Sequence, residues 1–346
     1  MALSSSSCKH RMVVMAFITL AMAYSTAVVA LLYDDIEISW GQDCYFYMDG
    51  DTDTDTLALG LDHTSGSGFS SKDAYLYGRF DMDIKLVSNN SAGTVATFYV
   101  STSPPQHVSV VPGVVTAVTI HAVVRPQTYV SLLVSLNKYS HVSSRMNGMA
   151  LQLTPDDVPW EYHDEVDMEF LGNATGEPYT LHTNVYLNGV GSREQQFHLW
   201  FDPAEDFHTY SIEWNPKYII FLVDGTPIRV YKNDRARGVP FPTWQRMRVQ
   251  GSLWNADEWA TQGGRVKTDW TQAPFYAYYR NFRVTPCVPS PGVAWCGDEP
   301  AQSTWFDRRL DSAALRKVQE ENMVYDYCED QKRFKDKGLP VECTKA

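Results

Sequence analysis

Three carboxylates that alternate with apolar residues are the side chains of this sequence best suited to do chemistry. They are Glu165, Asp167 and Glu169, within the segment HDEVDMEFLG that spans residues 163–172. On a β-strand, successive side chains point to opposite faces, so the carboxylates would share one face and the apolar residues the other. Carboxylates this close push their pKa values apart, which lets one stay ionised while another holds a proton.

That combination is typical of the retaining cleavage of a glycosidic bond. The Cα atoms of Glu165 and Glu169 would lie ~13 Å apart on a strand, and inward-leaning side chains would bring the carboxyl groups toward the ~5 Å of a retaining pair. We therefore predict Glu165 and Glu169 as the catalytic pair, with Asp167 between them, where it can hydrogen-bond the nucleophile and help lower its pKa. The pattern alone leaves two other interpretations open: a solvated acidic strand, and a calcium site, although calcium prefers more oxygen ligands drawn from a loop.

The composition limits the kinds of fold and partner. With 346 residues, 44% hydrophobic positions and 13% aromatic residues, the chain can bury one large domain and a smaller appendage. Its formal net charge of −12 argues against the basic surface that neutralises the phosphates of a nucleic acid. A neutral polymer fits better as a partner.

The first thirty residues are predicted to be a signal peptide. Two basic residues precede an apolar run from Met12 to Ala23, and small residues end at Ala30. A membrane anchor is the alternative, but polar residues interrupt the run before it reaches the ~20 apolar residues that a membrane span needs. We expect residues 1–30 to be removed and the mature chain to be secreted, with no membrane association.

The rest of the chain is predicted to be mostly β. The clearest hairpin spans residues 218–231, around the turn Asp224-Gly225. Helical periodicity is nearly absent before residue 310. We predict two packed antiparallel sheets over residues 31–285, because a sheet buries one face only against another layer.

Residues 286–346 form a predicted C-terminal extension. Asp311 can cap a helix that begins at Ser312 and runs toward Tyr325. A small unit of this kind cannot build a large core of its own, so we expect cysteine pairs to hold it together.

Five of the six cysteines remain after removal of the first thirty residues: Cys44, Cys287, Cys296, Cys328 and Cys343. Pairing of nearest neighbours, Cys287 with Cys296 and Cys328 with Cys343, is the simplest arrangement outside the cell, although four cysteines allow three pairings. Cys44 is then left over, and the sequence does not decide whether it is buried as a small hydrophobe. None of the spacings resembles a structural zinc site.

Residues 106–154 differ in composition from the rest of this acidic chain. The segment has no Asp or Glu and is rich in Val, Ser and Thr without clean alternation. Three interpretations are open: an additional hairpin, an aggregation-prone loop, or translated intron sequence from a faulty gene model. We favour the last interpretation and treat the segment as an insertion in the predicted domain.

The segment at residues 163–172 resembles the catalytic strand of the xyloglucan endotransglucosylase/hydrolase family, which lies within glycoside hydrolase family 16 and shares a Glu-x-Asp-x-Glu motif on a β-jelly-roll. Five other segments resemble that family: residues 65–69, 91–95, 199–203, 207–212 and 252–256. The likeness covers most of residues 33–346 and includes the cysteine-bearing extension. It implies a two-sheet jelly roll and both of the nearest-neighbour disulfides.

Carried over by position, the family's nucleophile, helper carboxylate and acid/base fall on Glu165, Asp167 and Glu169. Asn173 begins a sequon that resembles the family's glycosylation site, and Asn89 begins a second sequon. The sequence departs from the family in having Val and Met where Ile and Phe are usual within the motif, which leaves the core face apolar. A larger departure is that residues 103–162 replace a short turn.

The resemblance also implies where the sugar chain binds. Aromatic rings stack on sugar faces, although any one Trp is more often a core residue. The segment that resembles the family's acceptor-side wall contains Trp254, Asn255, Trp259 and Gly264. Further polar residues of the predicted cleft are His182, Asn184, Glu194 and Gln195. We assign Trp200, Trp214 and Trp270 to the core.

The resemblance, together with the predicted signal peptide, implies a secreted enzyme of the plant cell wall that cuts and religates xyloglucan, with donor and acceptor chains as its partners. The family's dedicated hydrolases have a lengthened loop near the acceptor wall, and residues 252–264 show no such extension, which favours transfer over hydrolysis. An endohydrolase and a non-catalytic jelly-roll lectin are the alternatives. We expect a monomer that needs no metal or organic cofactor and does not bind nucleic acid.

Overall fold

The computed structural model describes residues 32–41, 43–49, 54–102, 119–123, 129–133, 160–287 and 310–344. The predicted signal peptide, most of the predicted insertion and Cys296 lie outside these ranges. Two compact units divide the chain, one of residues 1–105 and 154–346 and the other of residues 106–153. In the described residues, no helix has the length and apolar character needed to cross a bilayer.

Strands dominate the described residues. In chain order they are β1 Ile36–Trp40, β2 Cys44–Asp49, β3 Thr54–Leu61, β4 Ser67–Tyr75, β5 Gly78–Lys85, β6 Thr94–Ser101, β7 Thr119–Val123, β8 Tyr129–Leu133, β9 Glu165–Leu171, β10 Thr180–Tyr186, β11 Gln195–His198, β12 His208–Trp214, β13 Tyr218–Val223, β14 Thr226–Lys232, β15 Met247–Asn255, β16 Phe275–Pro286 and β17 Met323–Asp326. The α-helices are α1 Leu32–Asp35 and α2 Ser312–Glu321. Short 3-10 turns lie at Trp160–Tyr162, Arg235–Arg237, Gln262–Gly264, Trp270–Gln272, Tyr327–Glu329 and Val341–Cys343.

The larger unit consists of two antiparallel sheets. Sheet A has eight strands in the order β1-β4-β15-β6-β9-β10-β11-β17, and sheet B has seven in the order β14-β13-β12-β5-β16-β3-β2. Strand β9 therefore lies in the interior of sheet A, hydrogen-bonded to β6 on one side and β10 on the other. The smaller unit contains the antiparallel pair β7 and β8. The predicted all-β jelly-roll sandwich is confirmed.

The predicted hairpin forms between β13 and β14. Asp224 and Gly225 both adopt left-handed backbone conformations, with φ of 48° and 74°. Positive φ at both central residues is what a two-residue type I′ turn requires, and the twist of that turn matches the twist of the strands it joins. The Asp-Gly pair therefore determines the register of this edge of sheet B.

Aromatic side chains join the two sheets. Phe170 of β9 meets Tyr210 of β12 edge to face with ring centroids 4.6 Å apart, and Phe69 of β4 meets Tyr279 of β16 at 5.3 Å. All four rings are fully buried, and complete burial of such a side chain stabilises the fold by roughly 1.5–3 kcal/mol. The apolar face of β9 is thus fixed against sheet B, which fixes the direction of its opposite face.

Three tryptophans were predicted to be core residues, and the prediction is correct for two of them. Trp214 is fully buried, and Trp270 is partly buried against the core. Trp200 was predicted to be a core residue, but this is wrong, because 45% of it is exposed. It lies just beyond β11 in a loop, where its ring packs edge to face on Phe201 instead of entering the space between the sheets.

The C-terminal helix begins where predicted and ends earlier than predicted. The Asp311 side chain accepts hydrogen bonds from the backbone N–H groups of Ala313 and Ala314, as expected of an N-cap. The helix stops at Glu321, and the chain continues as β17, which contains Tyr325 and pairs with β11. Pairing with an open sheet edge satisfies the backbone groups of this segment better than an isolated helical turn would.

The extension covers the corresponding edges of both sheets. Helix α2 packs against β14 at the edge of sheet B, while β17 adds the last strand to sheet A. The predicted disulfide between Cys328 and Cys343 is present, with Cα atoms 5.2 Å apart. Cys287 is also disulfide-bonded, and its predicted partner lies outside the described residues. Cys44 is buried.

Candidate active site

Strand β9 presents its three carboxylates on the face of sheet A that points away from sheet B. The side chains of Glu165 and Glu169 are 20% and 22% exposed, whereas the apolar side chains between them are fully buried on the other face. We call the outward side the carboxylate face. The period of two predicted this arrangement, and the structure confirms it.

The neighbouring strands place polar side chains beside each carboxylate. Directly opposite one another are Glu165 with Ser101 and Tyr186, Asp167 with Tyr99 and Asn184, and Glu169 with Thr97 and His182. Beyond β6, the Thr97 and Ser252 hydroxyls are 2.8 Å apart, and the Tyr99 hydroxyl donates to Gln250 Oε1 at 3.3 Å. The alternation pattern of β9 does not identify these β6 and β15 residues, because only strand pairing brings them to the site.

Asp167 is the most buried of the three carboxylates, with 5% of the residue exposed. Burial raises the pKa of Asp167 well above its ordinary value, and the negative charges of Glu165 and Glu169 raise it further. Its carboxyl group is hydrogen-bonded to Glu165. The raised pKa of Asp167 favours its protonated form, which can donate this bond and stabilise an ionised Glu165.

Glu169 is held in its protonated form near neutral pH. Burial raises the pKa of Glu169 from 4.5 to about 8, and the charges of Glu165 and Glu194 act in the same direction. A carboxyl group in this state can donate a proton to a leaving group. Three similar side chains on one strand therefore acquire different protonation states from their surroundings.

His182 lies beside Glu169 as a neutral group. Burial lowers the pKa of His182 to about 4, so its imidazole carries no charge at neutral pH. The Gln196 side-chain nitrogen lies 2.9 Å from Nδ1 and donates to it, which leaves the proton on Nε2. That Nε2 is 3.7 Å from Glu169 Oε2. The acid therefore faces a neutral N–H group rather than a cation that would lower its pKa.

His163 borders the other end of the carboxylate row. Its Nε2 lies 3.3 Å from Glu165 Oε2, and its ring packs edge to face with Tyr186 at 6.3 Å. The residue is 2% exposed, and its carbonyl accepts a hydrogen bond from Gly189 N–H. A buried ring held in this way restricts the orientation of the Glu165 side chain.

Two tryptophans form a wall beside Glu169. The rings of Trp254 and Trp259 are 6.2 Å apart, and the Trp259 ring is also 6.2 Å from the His182 ring. Trp259 is 39% exposed, so an aromatic surface remains open to a ligand. Both rings that were predicted to line the cleft thus lie beside the carboxylate face.

Asn255 and Gly264 shape the loop behind this wall. The Asn255 side-chain amide donates to the Gly93 carbonyl and to Thr268 Oγ1. Gly264 has φ of 82°, and a Cβ there would lie 2.3 Å from the Glu258 carbonyl oxygen. Asn255 therefore shapes the loop through the hydrogen bonds of its side chain, and Gly264 shapes it through its backbone conformation.

Asn184 and Glu194, which were also predicted to line the cleft, are both bonded to other parts of the protein. Asn184 is buried and accepts hydrogen bonds from the Val185 and Arg193 N–H groups. Glu194 forms a two-bond ion pair with Arg333 of the extension, at 2.6 and 3.0 Å. Its charge still contributes to the raised pKa of Glu169.

Gln195 does not lie on the carboxylate face. It pairs with Thr183, whose side chain is fully buried, and its amide donates to Asp326 Oδ2 on β17. Gln196 pairs with His182 and occupies the position predicted for Gln195. The prediction was wrong by one residue, which moves a strand side chain to the opposite face.

In the described part of the chain, no group of three or more His, Cys, Asp or Glu side chains is arranged to hold a metal ion.

Comparison with known proteins gives consistent matches over most of the chain. The family model "Glycosyl hydrolases family 16" matches residues 32–110 and 143–272, and "Xyloglucan endo-transglycosylase (XET) C-terminus" matches residues 299–343. "Xyloglucan endotransglucosylase protein 1" of Diospyros kaki is 43% identical over 95% of this chain and 98% of its own length. "Xyloglucan endotransglucosylase/hydrolase protein 15" of Arabidopsis thaliana is 41% identical over 96% of each chain. Among solved structures, a Bacillus licheniformis beta-glucanase has a TM-score of 0.42 at 23% identity, over 69% of this chain and 81% of that chain.

Proposed function

The chain belongs to glycosyl hydrolase family 16 and to its xyloglucan endotransglucosylase/hydrolase members, and from that premise we propose that it transfers segments of xyloglucan between chains. The observation that carries the proposal is that the carboxyl groups on β9 differ in protonation state and therefore in the chemical role each can take. Glu169 keeps its proton near neutral pH, while Asp167 can donate a hydrogen bond to Glu165.

The first step forms a covalent glycosyl-enzyme. The Glu165 carboxylate attacks the anomeric carbon of the donor glucan, and Glu169 gives its proton to the glycosidic oxygen that leaves. Asp167 stabilises the charge of Glu165 before attack. His163 and Tyr186 restrict the position of the nucleophile, because His163 contacts Glu165 and its ring packs against Tyr186.

The second step resolves the intermediate with a sugar hydroxyl. Glu169, now ionised, accepts the proton of that hydroxyl, and the oxygen attacks the anomeric carbon as Glu165 leaves. Trp254 and Trp259 supply aromatic surface for the incoming chain on the Glu169 side. Well-oriented bound groups reach effective molarities of ~10⁵–10⁸ M, which is enough for a bound hydroxyl to compete with solvent water.

The sequence also supports a proposal for the compartment in which the enzyme acts. We propose that residues 1–30 direct export and that the mature enzyme acts in the cell wall, where its polysaccharide substrate occurs.

Asn173 begins a sequon immediately after the catalytic strand and is proposed to be glycosylated. The family model leaves residues 111–142 unmatched, and these residues lie within the segment 106–154 that we propose to be an insertion.

The proposal is tested by following donor and acceptor together. Purified protein is incubated with xyloglucan polymer and labelled xyloglucan oligosaccharide, and both the label in polymer and the reducing ends are measured. We expect label in polymer with little gain in reducing ends. A rapid rise in reducing ends without incorporation of label would instead identify an endohydrolase.

Variants assign the roles of the residues in the same assay. Glu165→Gln should lower turnover by several orders of magnitude while polysaccharide binding persists, and Glu320→Gln, which removes an exposed carboxylate of α2, serves as the control. Trp259→Ala should reduce transfer more than hydrolysis, because the acceptor loses its platform. Near-normal turnover of Glu165→Gln would remove Glu165 from the role of nucleophile, and binding without turnover in the wild type would indicate a lectin.

A further inference from the structure

A cavity of about 410 Å³ lies beside the end of the catalytic strand, among the loops that follow β5, β9 and β11. Its volume is within the range of ~300–1,000 Å³ that is usual for small-molecule sites. Apolar lining is supplied by Val87, Pro178, Tyr179, Leu199 and Phe201. Polar lining is supplied by Asn89, Ser91, Thr175, Glu177 and Asp202. A sugar ring, which has an apolar face and a hydroxyl rim, matches this mixture of surfaces.

Asn89 lies at the edge of this cavity and begins the sequon Asn-Asn-Ser. The residue is exposed, and its backbone is left-handed with φ of 62°. Asn tolerates that conformation better than most residues, so the turn alone would account for an Asn or a Gly here. The sequon and the adjacent cavity are two features that the turn does not require.

Asn173 is less directly related to the cavity. Its Oδ1 accepts from the Ala174 N–H at 3.0 Å, and its Nδ2 donates to the Pro178 carbonyl at 3.1 Å. It does not line the cavity. The Asn89 amide, by comparison, makes one long side-chain contact of 3.4 Å with Ser88 Oγ. Of the two sequons, Asn89 is the one placed to deliver a sugar into this space.

We propose that Asn89 carries an N-linked glycan whose first N-acetylglucosamine lies in the cavity. The modification replaces one N–H bond of Asn89 Nδ2 by a bond to C1 of the sugar. The donor is a polyprenyl-diphosphate oligosaccharide of the secretory pathway, and the polyprenyl diphosphate leaves with the displaced proton. The inference therefore rests on the proposed export and does not depend on the proposed transfer reaction.

Contacts of the sugar would join separate loops. Its apolar face meets Tyr179 and Leu199. Tyr179 is held in place because its hydroxyl donates to the Val87 carbonyl at 2.7 Å. Exposed Glu177 and Asp202 at the rim accept hydrogen bonds from sugar hydroxyls. Such contacts hold the loop after β9 against the loop before β6, near the end of the strand that bears Glu169.

The occupancy of Asn89 is tested on full-length protein secreted from a plant cell line. Peptide mass spectrometry should find glycan at Asn89, and Asn89→Gly, which keeps the left-handed turn, should lose that one glycan. Ser91→Thr keeps the sequon and should retain it. Absence of glycan at Asn89 overturns the proposal, whether or not Asn173 is occupied.

The position of the sugar is tested by enzymatic release of glycan from the folded protein. We expect release from Asn89 to be at least about tenfold slower than from Asn173. The glycan-releasing enzyme can act at Asn89 only when a local opening of the protein frees the sugar from the cavity. Denaturation should abolish the difference. Ala204→Leu, which fills the cavity without touching the sequon, should speed release from folded protein. Equal rates at the two sites in folded wild type would overturn the seated position.

Discussion

Replacement of Glu169 by Gln should stabilise the fold at high pH while it removes the acid/base group. The pKa of Glu169 is raised from 4.5 to about 8, first by burial and then by the charges of Glu165 and Glu194. At about 1.36 kcal/mol per pKa unit, ionisation of the folded protein is disfavoured by up to ~5 kcal/mol relative to the unfolded chain. Because 22% of the side chain is exposed, screening by water makes this an upper bound.

The sign of the pH dependence follows from the raised pKa. The protonated form is favoured in the folded state, so the contribution of Glu169 to stability is fully present below pH ~4.5 and is lost as the pH rises through ~8. Between pH 5 and pH 8 the loss amounts to at most ~3.5 kcal/mol by linkage. Gln stays neutral at both values and should escape this loss.

Urea unfolding at pH 5 and pH 8 measures the effect directly. The free energy of unfolding of Glu169→Gln, minus that of the wild type, should be larger at pH 8 than at pH 5 by ~1–3.5 kcal/mol. Glu320→Gln, which removes an exposed carboxylate of α2, should show no such difference. In parallel, the variant should lose ~10²–10⁴-fold in polymer cleavage, the usual contribution of a general acid.

Two results would refute this reasoning. An equal stability difference at pH 5 and pH 8 would mean that Glu169 titrates in the folded protein much as it does in the unfolded chain. Retention in the variant of the wild-type fall in activity near pH 8 would mean that another group is the acid. Either outcome would mean that the carboxylates of β9 do not have the separate catalytic roles proposed for them.

Two further predictions concern the extension and the insertion. Replacement of Cys328 and Cys343 by Ser opens a loop of 15 residues and should lower the free energy of unfolding by ~3 kcal/mol on the chain-entropy model; an unchanged urea midpoint would show that β17 and α2 hold the extension without it. Deletion of residues 106–154 should raise soluble yield and activity, because this Val-rich segment lacks any acidic residue; loss of folding on deletion would show instead that the sandwich needs it.

Local sequence was sufficient to predict the elements of the fold that depend on short-range physics. Strand alternation fixed which face of β9 carries the carboxylates, and Asp224-Gly225 specified its turn through positive φ. Asp311 identified the start of α2 because an N-cap satisfies N–H groups two and three residues ahead. The end of that helix was missed, because pairing of β17 with β11 is a contact between distant parts of the chain.

Properties of the candidate site that depend on neighbouring strands were decided only by tertiary structure. Adjacent strand residues point to opposite faces, and register with β10 decided that Gln196, rather than the predicted Gln195, is the one beside His182. The sequence placed Asp167 and Glu169 on one face, yet their raised pKa values come mainly from burial, to which the strands around them contribute. Arg333 reaches Glu194 from 139 residues away. Spacing along a strand encodes direction, whereas desolvation and charge pairing depend on the distances that folding creates.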